Sequence, residues 1–360
     1  NTLALTGNAG GGLTDVTYRP TNVTDGFVVL DASTVTYTGL APIQDATTAT
    51  NLTLHLTDAA NTATVTNGGN AGSGVFTGVS DTGELQSADV ENYEWANKTN
   101  VTVNGGDATA GGDSGDNITL DMPNQPDGLT GDLTIDGQEG DDTITVAPHN
   151  NGIDPILDGG RDPGDTFILN PDPTDAAIEV VVTDDGGFLD PLDAVNDYSI
   201  PSLGAGMTIN AGGFASAELR GTNNADTIRL GDDSAGTNVD IDDPVFLTSM
   251  TLVGGGGDDA FQFELIPADL SVNAQGDAGD DTFLVARTSG GAADSTVDLT
   301  SNIEGTLTIA GGGDATAAGD TLEIGDGATP LVQGEVFADR VENLTPQPIN
   351  YDGSVERMDI

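Results

Sequence analysis

The sequence predicts an all-β chain arranged as a parallel β-solenoid with Gly/Asp-rich turns. A strand, glycine turn, aspartate, strand unit recurs along the chain, its strands alternate apolar residues with Thr, and no window keeps a helical period. The same strands arranged as hairpins would instead give tandem β-sandwich domains.

The unit is clearest in two places. Leu133-Thr134-Ile135-Asp136 leads through Gly137 to Asp141-Asp142-Thr143-Ile144-Thr145-Val146, and Leu270-Ser271-Val272-Asn273 leads through Gly276 to Asp280-Asp281-Thr282-Phe283-Leu284-Val285. In Leu133-Thr134-Ile135 and Ile144-Thr145-Val146 the apolar side chains share one face and Thr the other, the two-residue period of a half-buried strand. Val101-Thr102-Val103, Met207-Thr208-Ile209, Met250-Thr251-Leu252 and Leu307-Thr308-Ile309 repeat that pattern. A unit this short cannot bury its own apolar face, so copies must stack.

The residues that follow the motif aspartate align as Asn117, Thr143, Thr166, Thr227, Ala260, Thr282 and Thr321, with a degenerate earlier copy at Thr62. Most spacings suit one coil, and the long gaps from Thr62 to Asn117 and from Thr166 to Thr227 are expected to hold two coils each. The expected organisation is an N-terminal β segment over 1–50, coils over 51–185, a loop or seam over 186–206, coils over 207–325 and a C-terminal β segment over 326–360. The proline-rich stretch from Pro148 to Pro173 reads as a surface loop.

With 51 glycines and only 10 Phe, 5 Tyr and 1 Trp, the core is expected to be thin and built from Val, Ile, Leu and Ala. A formal charge of −51 makes nucleic acid and anionic membrane surfaces poor partners, and no apolar run approaches the length of a membrane span. There are no cysteines, so thiolate metal sites and disulfides are excluded. His55 and His149, the only histidines, read as surface or loop residues, and the Tyr93–Trp95 pair as packing a coil end or covering a loop.

Many of the acids sit beside glycine in turns, where a short carboxylate close to backbone carbonyls suits an oxygen-ligand cation. The candidate metal ligands are Asp116, Asp141, Asp142, Asp165, Asp226, Asp258, Asp259, Asp280, Asp281 and Asp320. Ca²⁺ fits such turns better than Mg²⁺, which requires a strict octahedron, or Zn²⁺, which takes His or Cys. Purely solvated turn carboxylates are the alternative reading. If ions bind only the folded stack, folding is expected to depend on calcium.

Gly254-Gly255-Gly256-Gly257-Asp258-Asp259-Ala260-Phe261-Gln262 satisfies the nonapeptide G-G-x-G-x-D-x-U-x. The copies at Gly137 and Gly276 match except at the second glycine, where Gln138 and Asp277 stand. The chain thereby resembles the RTX, or hemolysin-type, calcium-binding repeat proteins and the large secreted bacterial repeat and adhesin-like proteins that carry variants of that motif. The resemblance implies that Asp142, Asp259 and Asp281 supply side-chain oxygens to Ca²⁺, with turn carbonyls completing the shell. It departs from that family in carrying one motif per coil rather than an uninterrupted tandem.

No nucleophile elbow, phosphate loop or metalloprotease helix motif is present, and the expectation is a protein that is not an enzyme. The expected role is that of an extracellular, calcium-binding structural protein of the cell surface, such as a filament, sheath or adhesin subunit. Val35-Thr36-Tyr37-Thr38-Gly39-Leu40 loosely matches Ile349-Asn350-Tyr351-Asp352-Gly353-Ser354, which suggests self-association head to tail into a homopolymer or a cut from a tandem array. Surface polysaccharide is a further expected partner, and a carbohydrate-active β-helix enzyme or binding module is the alternative. Sequons at Asn22, Asn51, Asn97, Asn100, Asn117 and Asn343 are candidate glycosylation sites.

Overall fold

The computed structural model of the chain describes residues 1–7, 12–106, 114–183, 195–202, 207–231, 247–285, 303–313, 319–325 and 335–359. The described residues are all-β, with no helix among them. They divide into two compact units, Asn1–Phe167 with Ile209–Phe214, and Ile168–Thr208 with Ala215–Ile360.

The first unit holds β1 (Leu3–Leu5), β2 (Leu13–Pro20), β3 (Asp25–Leu30), β4 (Ser33–Thr38), β5 (Ile43–Asp45), β6 (Ala49–His55), β7 (Thr62–Asn67), β8 (Gly83–Ser87), β9 (Tyr93–Trp95), β10 (Lys98–Asn104), β11 (Asn117–Asp121), β12 (Leu133–Asp136), β13 (Thr143–Val146) and β14 (Pro155–Asp158). The boundary between the units falls within β15 (Thr166–Leu169). Next come β16 (Glu179–Thr183) and β17 (Val195–Ser199) of the second unit, then β18 (Thr208–Gly212), most of which belongs to the first. The second unit continues with β19 (Ser216–Arg220), β20 (Thr227–Leu230), β21 (Ser249–Val253), β22 (Ala260–Phe263), β23 (Ser271–Ala278), β24 (Thr282–Val285), β25 (Thr306–Gly313), β26 (Asp320–Ile324), β27 (Glu335–Val336), β28 (Arg340–Glu342), β29 (Ile349–Tyr351) and β30 (Val355–Asp359).

In the first unit the strands of one sheet lie in the order β1-β5-β9-β8-β7-β11-β13, and those of the other in the order β18-β14-β12-β10-β6-β2-β3-β4. In the second unit the orders are β19-β21-β23-β25-β29-β28-β27 and β30-β26-β24-β22-β20-β16-β17. Parallel pairs dominate. Among the described residues, antiparallel pairs occur in β2-β3-β4, β7-β8-β9, β16-β17 and β27-β28-β29.

The register follows the sequence repeat. Thr62 pairs with Asn117 and Asn117 with Thr143; Thr227 pairs with Ala260, Ala260 with Thr282 and Thr282 with Thr321. Because the two-residue period is kept, inward residues stack from strand to strand: Leu52 on Val101 on Leu133, and Leu54 on Val103 on Ile135. Each of these is at most 1 % exposed, and burial of one such side chain stabilises the fold by about 1.5–3 kcal/mol. Phe261 and Phe283 occupy paired positions in adjacent strands and stack with centroids 4.9 Å apart and planes 6° from parallel.

Several expectations are corrected. The gap from Thr62 to Asn117 does not hold two coils, because β7 and β11 are immediate neighbours; the extra length forms the antiparallel β8 and β9 excursion and β10. The stretch from Pro148 to Pro173 is not one surface loop, since it contains β14 and β15; Pro155 is accommodated as the first residue of β14. The two matched end segments play different parts, Val35–Thr38 in an antiparallel outer strand and Ile349–Tyr351 in a strand parallel to β25. His55 is buried at the end of β6 rather than at the surface, whereas His149 is half-buried and bonds Asp121 at 2.7 Å. Tyr93 and Trp95 are both fully buried, in β9, which lies between β5 and β8 in its sheet. The seam over 186–206 lies largely outside the described residues.

Candidate functional site

Strand parity separates the doubled acids. Asp142 shares its face with Ile144 and Val146 and is 1 % exposed, whereas Asp141 is exposed. Asp259 and Asp281 are buried in the same way beside the exposed Asp258 and the half-buried Asp280. Asp116, Asp165, Asp226 and Asp320 also point inward.

The buried aspartates form two ladders, one in each unit. In the first, the Asn61 main-chain N–H donates to Asp116 Oδ1 at 2.7 Å, Asp116 N–H to Asp142 Oδ1 at 2.6 Å and Asp142 N–H to Asp165 Oδ1 at 2.8 Å. In the second, Ile178 N–H donates to Asp226 Oδ1 at 2.6 Å, Asp226 N–H to Asp259 at 2.7 Å, Asp259 N–H to Asp281 at 2.8 Å and Asp281 N–H to Asp320 at 2.7 Å. Asp320 N–H ends this ladder on Glu356 Oε2 at 2.9 Å. The aspartate carbonyls accept from the next strand, as in Asp116 O from Thr143 N–H at 2.8 Å and Asp259 O from Thr282 N–H at 2.8 Å. At each bend the carboxylate therefore takes the place of a main-chain acceptor, so the N–H buried there is satisfied.

Glycine makes room for the other carboxylate oxygen. A β-carbon on Gly137 would lie 2.5 Å from Asp142 Oδ2, and one on Gly221 would lie 2.6 Å from Asp226 Oδ2; Gly254, Gly276 and Gly311 stand in the same relation to Asp259, Asp281 and Asp320. The next residue has a left-handed backbone in most copies: Gln138 (φ 72°), Gly160 (96°), Gly255 (95°), Asp277 (69°) and Gly312 (113°). The second glycine of the repeat answers that requirement, and Gln138 and Asp277 meet it at a cost of about 1–2 kcal/mol each.

On four of these carboxylates burial disfavours charge more than the N–H donors favour it. Asp165 is pushed up to about 6, Asp281 to about 6 and Asp259 to about 8, and Asp226 is also raised. Burial is the largest cause in every case.

Each Oδ1 of the inward acids accepts a main-chain N–H, while Oδ2 of Asp259 and of Asp281 is buried beside a glycine of its own turn with no hydrogen-bond partner among the described residues. Among the outward acids, Asp258 Oδ1 accepts the Asp280 N–H at 3.0 Å, which brings those two turns together, and the Asp141 carboxylate lies against Gly164.

Two of the sequon asparagines are built into a ladder of their own. Asn100 Nδ2 donates to Asn51 Oδ1 at 2.9 Å, and Asn51 Nδ2 to Asp15 Oδ1 at 2.8 Å. Asn97 Nδ2 donates to Ala46 O at 3.3 Å, while Asn22, Asn117 and Asn343 are exposed.

Sequence reasoning missed the ladder ends and a set of buried polar groups in the first unit. Asn61 was readable, since it precedes Thr62 as Asp116 precedes Asn117; Glu356 carries no such signal. Glu94 is fully buried and accepts from Thr82 Oγ1 at 2.7 Å, Asn70 Nδ2 at 2.6 Å, Asn70 N–H at 2.9 Å and Gln44 Nε2 at 3.3 Å. Asp45 and Lys98 form a buried ion pair at 3.1 Å. No spacing rule links such residues, because hairpin excursions separate their strands.

A scan against protein-family models finds no match to the chain, and a search of curated proteins finds none.

Proposed function

We propose that the chain is a structural protein of the extracellular surface, each unit a parallel β-solenoid whose bends are tied by inward aspartates. The observation that supports this reading is the ladder itself: the repeated acids bond to main chain from strand to strand instead of converging on a reacting centre. A ladder of this kind rigidifies a stack while hiding acid groups from solvent, and the remaining acids keep the surface strongly negative. Calcium enters this reading through the outward acids Asp141, Asp258 and Asp280 and nearby turn carbonyls.

Self-association is the second element of the proposal. Among the described residues β4 pairs only with β3, and β30 only with β26, so each presents a row of main-chain groups suited to strand addition. Electron microscopy and sedimentation velocity of the purified chain across a concentration and calcium series test this. Filaments or a concentration-dependent oligomer series are expected; a monomer under every condition overturns self-association, and turnover of a surface polysaccharide overturns the structural assignment.

A further inference from the structure

Lys98 is the chain's one lysine, and it is fully buried against an equally buried Asp45, Nζ to Oδ2 3.1 Å. Asp45 ends β5 and Lys98 begins β10, which belong to different sheets of the first unit. Nζ donates to Thr47 O at 2.5 Å and to Ala96 O at 2.9 Å, which leaves its third direction toward Asp45. A neutral amine has two N–H bonds and one lone pair, and these surroundings supply two carbonyl acceptors and one carboxyl group. Burial pushes Lys98 down, toward that neutral form.

The carboxyl is held as an acylating group requires. Asp45 Oδ1 accepts from the Thr47 N–H at 2.8 Å and from Thr47 Oγ1 at 2.6 Å, a pair of donors aimed at the oxygen on which charge develops during attack. Oδ2 accepts from the Tyr93 hydroxyl at 2.7 Å. Burial raises the Tyr93 hydroxyl well above its ordinary range, so it stays protonated. Tyr93 and Trp95 are fully buried, and their neighbourhood excludes bulk water that would reverse an acyl transfer.

We propose that Lys98 and Asp45 condense in the folded protein to form an amide cross-link between the two sheets. Proton transfer within the pair gives a carboxylic acid and an amine. Nζ attacks Cγ, the Nζ–Cγ bond forms and the C=O electrons move to Oδ1, held by Thr47. Collapse breaks Cγ–Oδ2, and Oδ2 leaves as water with the carboxyl proton and one proton from Nζ. Tyr93 gives its hydroxyl proton to Oδ2 and regains one from the amine. One amide and one water are formed from one acid and one amine, with no co-reactant.

Mass spectrometry of the purified, denatured full chain tests this directly. The expected mass is one water below that of the sequence, and a peptic digest is expected to yield a branched peptide joining the Asp45 and Lys98 segments. A full-sequence mass, or a water loss carried by another residue with Asp45 and Lys98 in separate linear peptides, overturns the proposal. Lys98→Arg keeps a cation but is expected to restore the full mass, and a deficit that persists in it overturns the assignment. The wild-type peptide map decides the matter even where that variant does not fold.

Discussion

The second carboxylate oxygen of Asp142 lies 2.5 Å from where Gly137 would carry a β-carbon, while the first accepts the main-chain N–H of Asp116 at 2.6 Å. The glycine and the aspartate five residues later are thus parts of one device. The glycine leaves space, and the acid fills it to reach the neighbouring strand. Gly221 with Asp226, Gly254 with Asp259 and Gly276 with Asp281 repeat the relation at the same spacing.

Gly137→Ala should therefore be costly. The added methyl must displace a buried carboxylate whose position is fixed from the adjacent strand, and overpacking of this kind costs about 1–3 kcal/mol, with further loss if the Asp116 bond breaks. Gly74→Ala is the control: a β-carbon there meets nothing within 4 Å, and a change within about 0.5 kcal/mol is expected. Chemical denaturation of the two variants checks the contrast, and equal stabilities would remove the steric account of the repeat glycines.

Asp259→Ala and Asp259→Asn separate the hydrogen bond from the charge. Alanine leaves the Asp226 N–H buried without its acceptor, a loss of about 1–3 kcal/mol. Asparagine keeps an oxygen for that donor and carries no charge to desolvate, so it should match or exceed the parent in thermal stability near neutral pH. An asparagine variant as weak as the alanine variant would show that the negative charge itself holds the bend.

Much of this architecture was legible in the sequence. The alternation in Leu133-Thr134-Ile135 gave the buried face, and alignment on Thr143, Thr282 and Thr321 gave the strand register. The direction of the acids was legible too, because Asp142 lies two residues before the inward Ile144. The antiparallel excursions at β3-β4 and β8-β9 were hidden, since their alternation resembles that of the parallel strands. The Asp45–Lys98 pair was hidden for a different reason: an isolated lysine and one aspartate among 59 acidic residues carry no pattern until the fold brings them together.

Calcium and a chelator should act weakly on the ladders. Oδ1 of Asp142, Asp259 and Asp281 already has a main-chain donor, so withdrawing divalent ions at moderate salt is expected to leave the β circular dichroism intact and to shift the melting temperature by a few degrees at most, through the outward acids. Loss of the β signal on chelation, restored by calcium but not by an equal ionic strength of sodium, would show that ions hold the bends together.

The response to pH should run against the usual acid denaturation of an acidic protein. An ordinary aspartate titrates at 3.8, but in the folded chain Asp165 and Asp281 do so at about 6 and Asp259 at about 8, and Asp226 is shifted the same way. Between the two values the folded state holds a proton that the unfolded state has released, so stability falls as pH rises. The contribution is fully present below 3.8 and is lost progressively as pH climbs through 6 and then 8. Half-buried Asp25 and exposed Asp172, lowered by hydrogen bonds from Asn22 and Thr174, work the other way, and their contribution disappears only as pH falls below the ordinary value. Maximum stability is therefore expected at mildly acid pH, where Asp165, Asp259 and Asp281 are largely protonated and the outer carboxylates are still largely ionised. Thermal melts at about pH 5 and about pH 8.5 at constant ionic strength should give the higher midpoint at the lower pH. The difference should narrow in Asp259→Asn, because the group titrating at about 8 is gone. A midpoint that rises from acid to alkaline pH would mean that the buried aspartates are ionised throughout and are stabilised by something other than their main-chain donors.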